Sequence, residues 1–282
     1  MIRLSAFSDE AGNSLGEQIA ALQRNAIGLT ELRSIDKKNV KDLTENEAKA
    51  IFATLKHEGI GLSAVGSPIG KVKLSVDFDA YLDEVRHVCT LANIFETDKI
   101  RMFSFFDAYD DPDRVVEYLS RMVDVAKEYG VKLCHENEKK IFGDTAERVQ
   151  YLMEKVEGLR FVYDPANFLQ VDEPADKTLP LLADKCEYFH IKDVVSATGE
   201  LVPAGHGDGQ IPLLVRGIKR DTVLTLEPHL KVFGSYAAID GEAMKHRFRF
   251  ESNGEAFDAA VKAMKDILTC EGYKEIDGGF VR

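Results

Sequence analysis

Eight short apolar runs recur along this chain at intervals of roughly 30 residues, the length of one strand–helix unit. They are IRLSAF (2–7), TELRSI (30–35), IGLSAV (60–65), KIRMFSF (99–105), VKLCHE (131–136), LRFVYD (159–164), CEYFHI (186–191) and TVLTLE (222–227). Between them the apolar residues take a helical period. Val115, Val116, Leu119, Met122, Val123 and Ala126 share one face, as do Phe257, Ala260, Val261, Met264, Ile267 and Leu268. Helix starts are marked by capping boxes at Ser14–Glu17, Thr44–Glu47 and Ser252–Glu255, and Asp144–Glu147 reads the same way. No Pro- or Ser-rich linker and no low-complexity tract breaks the alternation. The pattern predicts an α/β protein, a single (β/α)8 TIM barrel over residues 1–282. A doubly wound open sheet usually has fewer strands and a Gly-rich first turn, and FSDEAGNS lacks GxGxxG. Only residues 231–253 depart from the rhythm. They are too long for an ordinary loop and predict a lid or interface element carrying His246, Arg247 and Arg249, against the plainer alternative of a solvated loop.

The charge balance narrows the partners. With 48 acidic and 36 basic side chains among 282 residues, the net charge is −12, which weighs against a nucleic-acid backbone as partner. No run of about 18 apolar residues is present, so no membrane partner is expected. The start MIRLSAFSDE, with Arg3, Asp9 and Glu10, does not read as a signal peptide. Cys89, Cys134, Cys186 and Cys270 are far apart without a CxxC spacing, and fit buried thiols in a reduced cytoplasm. The expectation is a cytoplasmic enzyme acting on a small molecule. Nothing in the composition speaks against a homo-oligomer.

In such a barrel the chemistry gathers at the C-terminal ends of the strands. The fifth run closes with Glu136-Asn137-Glu138 and the sixth with Asp164-Pro165-Ala166-Asn167. The seventh closes with His190-Ile191-Lys192-Asp193 and the eighth with Glu227-Pro228-His229. Strand parity aims Asp164, His190 and Glu227 inward, because Phe161, Tyr163, Phe189, Ile191, Leu224 and Leu226 take the outer positions. The same parity sends His135 outward beside Leu133, as a packed histidine. Three carboxylates crowded together raise one another's pKa unless a cation sits among them. A divalent ion held by Glu136, Asp164, His190 and Glu227 meets that need. Three oxygen donors and one nitrogen suit Mn²⁺ or Mg²⁺ and tolerate Co²⁺ or Zn²⁺. Separate loop caps and surface ion pairs would explain each residue singly, but not their succession on four neighbouring strands.

The stretches LCHENE, FVYDPANF, YFHIKD, GHGDG (205–209) and LTLEPHL resemble the xylose isomerase-like TIM-barrel superfamily, particularly its sugar (phosphate) isomerase/epimerase family. The resemblance covers essentially the whole chain. It implies one divalent metal on Glu136, Asp164, His190 and Glu227, with Glu136 and Glu227 as the catalytic acid/base pair. The implied activity is isomerisation or epimerisation of a sugar, sugar phosphate or keto-sugar through an enediolate. One glutamate takes a proton beside the carbonyl, the other returns one, and the cation stabilises the charge that develops.

Substrate contacts are expected from Arg33, Glu138, Asn167, Lys192 and His229. Arg33 suits a phosphate or carboxylate by bidentate donation, with an internal ion pair to Glu31 or another acid as its alternative. For Lys192 the alternative is a pair with Asp193. The chain departs from the family's ketose epimerases at Asn167 and Glu138, where those enzymes carry histidines, and in having no arginine in VVSATGELVPAG. Its substrate is therefore expected to differ from theirs. The glycines of GHGDG are expected to serve positive φ rather than phosphate binding. Endonuclease IV, an abasic-site nuclease of the same superfamily, needs further histidines at the strand ends, and this chain has seven in all. A dehydratase acting on a keto-sugar or cyclitol shares the first step and stays open as the alternative. A binding protein on a degenerate barrel would leave the four-residue set unexplained.

Overall fold

All eight apolar runs form strands: β1 (Ile2–Ala6), β2 (Leu29–Leu32), β3 (Gly61–Gly66), β4 (Lys99–Met102), β5 (Lys132–Glu136), β6 (Arg160–Tyr163), β7 (Cys186–Ile191) and β8 (Thr222–Leu226). The structure is a computed structural model and describes residues 1–234, 236 and 244–282. Strands β2 to β8 pair in parallel in chain order, and β8 pairs with β1, setting Ile2 opposite Thr222 and Ala6 opposite Leu226. This is the TIM barrel that the strand rhythm predicts. Between β1 and β2, no backbone ladder is present among the described residues. Side chains close that seam instead: Thr30 Oγ1 donates to the Ala6 carbonyl at 3.0 Å, and Ser8 Oγ lies 3.0 Å from Thr30 Oγ1. At its start, the free edge of β1 is taken by a C-terminal hairpin (Lys274–Ile276 and Gly279–Val281), with Phe280 antiparallel to Ile2.

The helices are α1 (Leu15–Arg24), α2 (Glu45–His57), α3 (Phe78–Ile94), α4 (Pro112–Glu128), α5 (Ala146–Lys155), α6 (Pro165–Leu169), α7 (Ala175–Leu182), α8 (Ile211–Gly217) and α9 (Asn253–Cys270). The boxes at Ser14–Glu17 and Thr44–Glu47 form in both halves. Ser252 caps α9 by accepting from Glu255 N–H, while the Glu255 carboxylate turns to Glu251 N–H instead. At the fifth helix the expectation is off by one residue. Thr145 is the cap, and Asp144 instead accepts from Tyr109 Oη and Arg148 Nη1.

Outward residues of the strands pack against the helices, each fully buried large side chain stabilising by about 1.5–3 kcal/mol. Ile100, Met102 and Leu133 meet Val85, Val88, Leu119 and Met122, while Phe161, Phe189 and Leu224 meet Leu214, Val215 and Leu182. Inward residues Ala64, Cys134, Val162 and Tyr188 fill the barrel axis. Above this plug the inward positions turn polar, and the candidate site begins there.

The region after β7 contains more structure than the periodicity predicts. Asp193–Val195 and Glu200–Val202 form an antiparallel hairpin, joined in parallel by Lys245–His246. These strands have two or three residues each, too short to show a period. Lys245–His246 belongs to the expected lid. Phe233 and Tyr236 of the same stretch are buried, whereas residues 235 and 237–243 lie outside the described ones. Three cysteines are buried as expected, but Cys270 is exposed at the end of α9. Among the described residues, no helix is long and apolar enough to cross a membrane.

Candidate metal centre

Glu136, Asp164, His190 and Glu227 each offer a donor atom, and these atoms all lie within 4.8 Å of one another. Each residue stands within one position of the end of β5, β6, β7 or β8, on the parity that the plug residues Cys134, Val162 and Tyr188 share. Local sequence then sets the side chains. Asp164 caps α6 by accepting Asn167 N–H through Oδ1 at 3.0 Å, with Pro165 at the first helical position where no N–H is needed. Asn137 ties the ends of β5 and β6 together. Its Nδ2 donates to the Asp164 carbonyl and its Oδ1 accepts Asp164 N–H, both at 2.9 Å.

His190 is fully buried between two sets of carboxylates. Nε2 lies 3.1 Å from Glu31 Oε2, and Nδ1 lies 3.0 Å from Glu136 Oε1 and 3.6 Å from Glu227 Oε2. Despite that proximity, Nδ1 makes no hydrogen bond. Neither does Asp164 Oδ2, although Lys192 Nζ stands 2.9 Å from it, off the hydrogen-bonding direction. Two buried polar atoms of the same set thus have a charged neighbour but no hydrogen bond of their own. A divalent cation would meet both, and the donor set of three carboxylates and one imidazole suits such an ion. The residues present fit a metal.

Electrostatics agree. Burial, opposed by Lys192 and reinforced by Glu136 and Glu227, pushes the Asp164 carboxyl up to about 7. Burial also acts to raise Glu136, but His190 and Arg101 outweigh it and hold that carboxyl below the usual range. At Glu227 burial is outweighed further, with Lys192 leading the opposing groups, and the carboxyl lies well below the usual range. The cluster is short of positive charge at Asp164 and supplied with it at the two glutamates.

Four of the five residues expected to contact substrate, Arg33, Asn167, Lys192 and His229, converge on the same mouth, but they are already engaged. Arg33 donates to Asp9 through Nε (3.0 Å) and Nη2 (2.9 Å), to Glu10 through Nη2 (3.4 Å) and to Glu227 through Nη1 (2.9 Å). Its guanidinium lies between the Phe7 and Phe233 rings, 4.3 and 4.8 Å from their centroids. Every nitrogen of Arg33 is therefore directed at a carboxylate. Lys192 bridges Asp164 and Glu227, at 2.9 and 3.3 Å, rather than pairing with Asp193. Asn167 Nδ2 donates to Glu136 Oε1 (3.2 Å) and the Asn137 carbonyl (2.9 Å). His229 is buried beside Phe233 and Tyr236, with Nε2 at 3.4 Å from Glu10 and 3.5 Å from Glu227. Glu138 stands apart from the cluster, half-buried and 3.3 Å from Lys71.

GHGDG wraps a carboxylate. Gly205 N–H and Gly207 N–H donate to Asp193 Oδ2 at 2.8 and 3.1 Å, and Gly209 N–H and Val194 N–H donate to Oδ1 at 2.8 and 2.9 Å. Gly205 has the expected positive φ of 84°. Gly207 and Gly209 serve a different need, since a Cβ there would stand 2.4 and 2.8 Å from Asp193 Oδ1. His206 is exposed beside Phe248. His135 is the packed histidine expected, buried with Nε2 2.9 Å from Ser104 Oγ.

Sequence reasoning missed four residues of this cluster. Arg101, inward between Ile100 and Met102, donates to Glu136 Oε2 at 3.2 Å. A charged residue on the inward parity of an apolar run was the available signal. Asp9 and Glu10 stand in the short helical turn after β1, at the same end of the barrel. Glu31 shares the inward parity of Arg33.

Fold and site together define an α/β barrel with a buried carboxylate–histidine cluster at the C-terminal mouth, where a metal could bind. The chain belongs to the xylose isomerase-like TIM-barrel family, whose profile matches residues 19–268. No curated protein sequence matches it. Solved structures with the same fold include L-ribulose 3-epimerase, at 17% identity and a TM-score of 0.75, covering 96% of each chain. The probable 3-DHS dehydratase AsbF of Bacillus anthracis is similar at 16% identity and a TM-score of 0.71, covering 94% of this chain and 99% of that one. IolI with a bound zinc atom is similar at 14% identity and a TM-score of 0.72, covering 95% and 99%.

Proposed function

We propose that this protein is a divalent-metal-dependent isomerase or epimerase of a sugar or keto-sugar, with Glu136 and Glu227 as the acid/base pair. The convergence of the Glu136, Asp164, His190 and Glu227 donors within 4.8 Å carries this reading. When bound, the cation would act as a Lewis acid on substrate oxygens. The chain's own residues do the rest. Glu136 is steadied by Arg101 and Asn167, and Glu227 by Arg33 and Lys192, so each carboxylate is held ionised and aimed. Such a group accepts a proton from carbon when the acid is activated, and the second glutamate delivers one from a different strand.

Lys192 is the most adaptable cation here, because its flexible stem can carry the ammonium from the carboxylates to a substrate oxygen. Arg33, with every nitrogen engaged, serves as a positioning residue for Glu227. Asn167 does the same for Glu136. All four cluster residues are nearly inaccessible, so substrate entry requires displacement of the cover that includes Phe233 and Tyr236. A cavity of about 400 Å³ lined by Leu169, Gln170, Val194, Ser196, Tyr236 and Lys245 shares Tyr236 with this cover but includes none of the four cluster residues. A larger one, about 570 Å³, lies outside the barrel between α7 and α8 and includes none of the four cluster residues.

The test is exchange in D₂O with a panel of keto-sugars and metal-replete protein. Label entering at the carbon beside the carbonyl is expected, and Glu136→Gln and Glu227→Gln should abolish turnover at full metal occupancy. Full turnover in both variants overturns the acid/base assignment. Loss of a substrate hydroxyl in place of reprotonation would move the protein to the dehydratase class. About three zinc ions per chain would move it to the nucleases.

A further inference from the structure

Beneath the cluster lies a carboxylate that serves neither as ligand nor as acid/base group in this reading. Glu31, on β2, is fully buried. Its Oε1 accepts the Tyr188 hydroxyl at 3.0 Å, and its Oε2 lies 3.1 Å from His190 Nε2. Tyr188 and His190 are alternate residues of β7, so both point inward and stack along the barrel axis. Their rings meet edge-on at 5.6 Å, and Phe7 closes the other side of the imidazole at 5.2 Å. His190 therefore has packed rings on two sides and a fixed acceptor at one nitrogen.

An ionised carboxylate can only accept, so the hydrogen in the Glu31–His190 contact belongs to Nε2. In a neutral ring, Nδ1 then carries the lone pair. That lone pair faces Glu136 and Glu227, which are acceptors as well. Such a meeting of acceptors is satisfied either by a second ring proton or by a cation, and metal uptake would replace the one with the other. We propose that Glu31, braced by Tyr188, is a positioning residue that fixes His190 with Nε2 protonated and Nδ1 presented to a divalent metal. Partners of this kind set ring orientation and ligand basicity, and their loss typically weakens metal affinity 10- to 100-fold. The inference rests on the metal reading of the cluster.

The test titrates wild-type protein, Glu31→Ala, Glu31→Gln and Tyr188→Phe with Co²⁺ alone, following both the dissociation constant and the visible cobalt spectrum. A thermal melt without metal reports folding. Glu31→Ala should bind Co²⁺ about 10- to 100-fold more weakly, with an altered spectrum. Glu31→Gln, whose amide oxygen still accepts from Nε2–H, should recover part of the affinity. Tyr188→Phe leaves the carboxylate unbraced and should lose less than the alanine variant. If Glu31→Ala does not fold, the glutamine and phenylalanine variants carry the test through their own affinity losses. Wild-type affinity and spectrum in every folded variant overturn the inference while leaving the metal reading intact. Wild-type protein that takes up no cobalt overturns both.

Discussion

Arg33 is the side chain on which most of the mouth's charge converges. Asp9, Glu10 and Glu227 all accept from it inside the protein, where an unpaired carboxylate is far more costly than at the surface. Burial and its acidic neighbours, opposed by Arg33, already push the Glu10 carboxyl up to about 8. Arg33→Met keeps the stem between Phe7 and Phe233 but removes the counter-ion. Stability should fall by about 3–5 kcal/mol. Urea unfolding that shows less than about 1 kcal/mol of loss would contradict this account of the pairing.

His135 supplies a pH-dependent contrast. Burial pushes its imidazole down to about 3, against the pull of Glu136, while the unfolded chain titrates it near 6.5. Between those values the unfolded state binds the proton and the folded state does not. This contribution to stability is complete above pH 6.5 and drains away as pH falls toward 3. His135→Gln should therefore lose about 3 kcal/mol less than wild type between pH 7 and pH 4. Parallel stability curves for the two proteins would show that His135 is not held neutral by its packing.

The loop between β7 and α8 depends on one carboxylate in the same way. Asp193 accepts four backbone N–H groups, three of them from glycines, two of which approach closely because they lack Cβ. Asp193→Ala strands those donors, each costing about 1–3 kcal/mol where water cannot reach it. Limited proteolysis should show new cleavage within residues 193–210, and an unchanged digestion pattern would refute the role.

This loop also shows how far a single sequence can be read. GHGDG announces a constrained turn, but two of its glycines answer to a distant side chain rather than to their own φ, and spacing does not reveal that. The strands were legible because apolar runs repeat with helices between them. Glu136, Asp164, His190 and Glu227 were legible because parity and position act locally. Arg101 and Glu31 escaped because their partners sit on other strands, a relation that exists only once the barrel closes. Glu255 and Asp144 mark the same boundary. An acceptor near a helix start is visible in sequence, whereas the donor that wins it depends on neighbours such as Tyr109.

Closure itself is uneven around the barrel. Strands β2 through β8 and β1 are joined by parallel ladders, while β1 and β2 meet through side chains, with the C-terminal hairpin on the lower edge of β1. Asp9 and Glu10 follow β1 and Arg33 follows β2, so the Arg33–Asp9 pair spans this join at the top. Amides along β2 should exchange with solvent sooner than those of β6 and β7, which have ladder partners on both sides. Hydrogen-exchange mass spectrometry that ranks β2 as the most protected strand would disprove this. The charges that hold Glu227 in place are thus also a latch on the cylinder. Anything that draws Arg33 away from Asp9, whether a ligand or a substitution, unfastens two staves at the same moment as it retunes the site. Occupancy of the mouth and tightness of the barrel become a single measurable quantity.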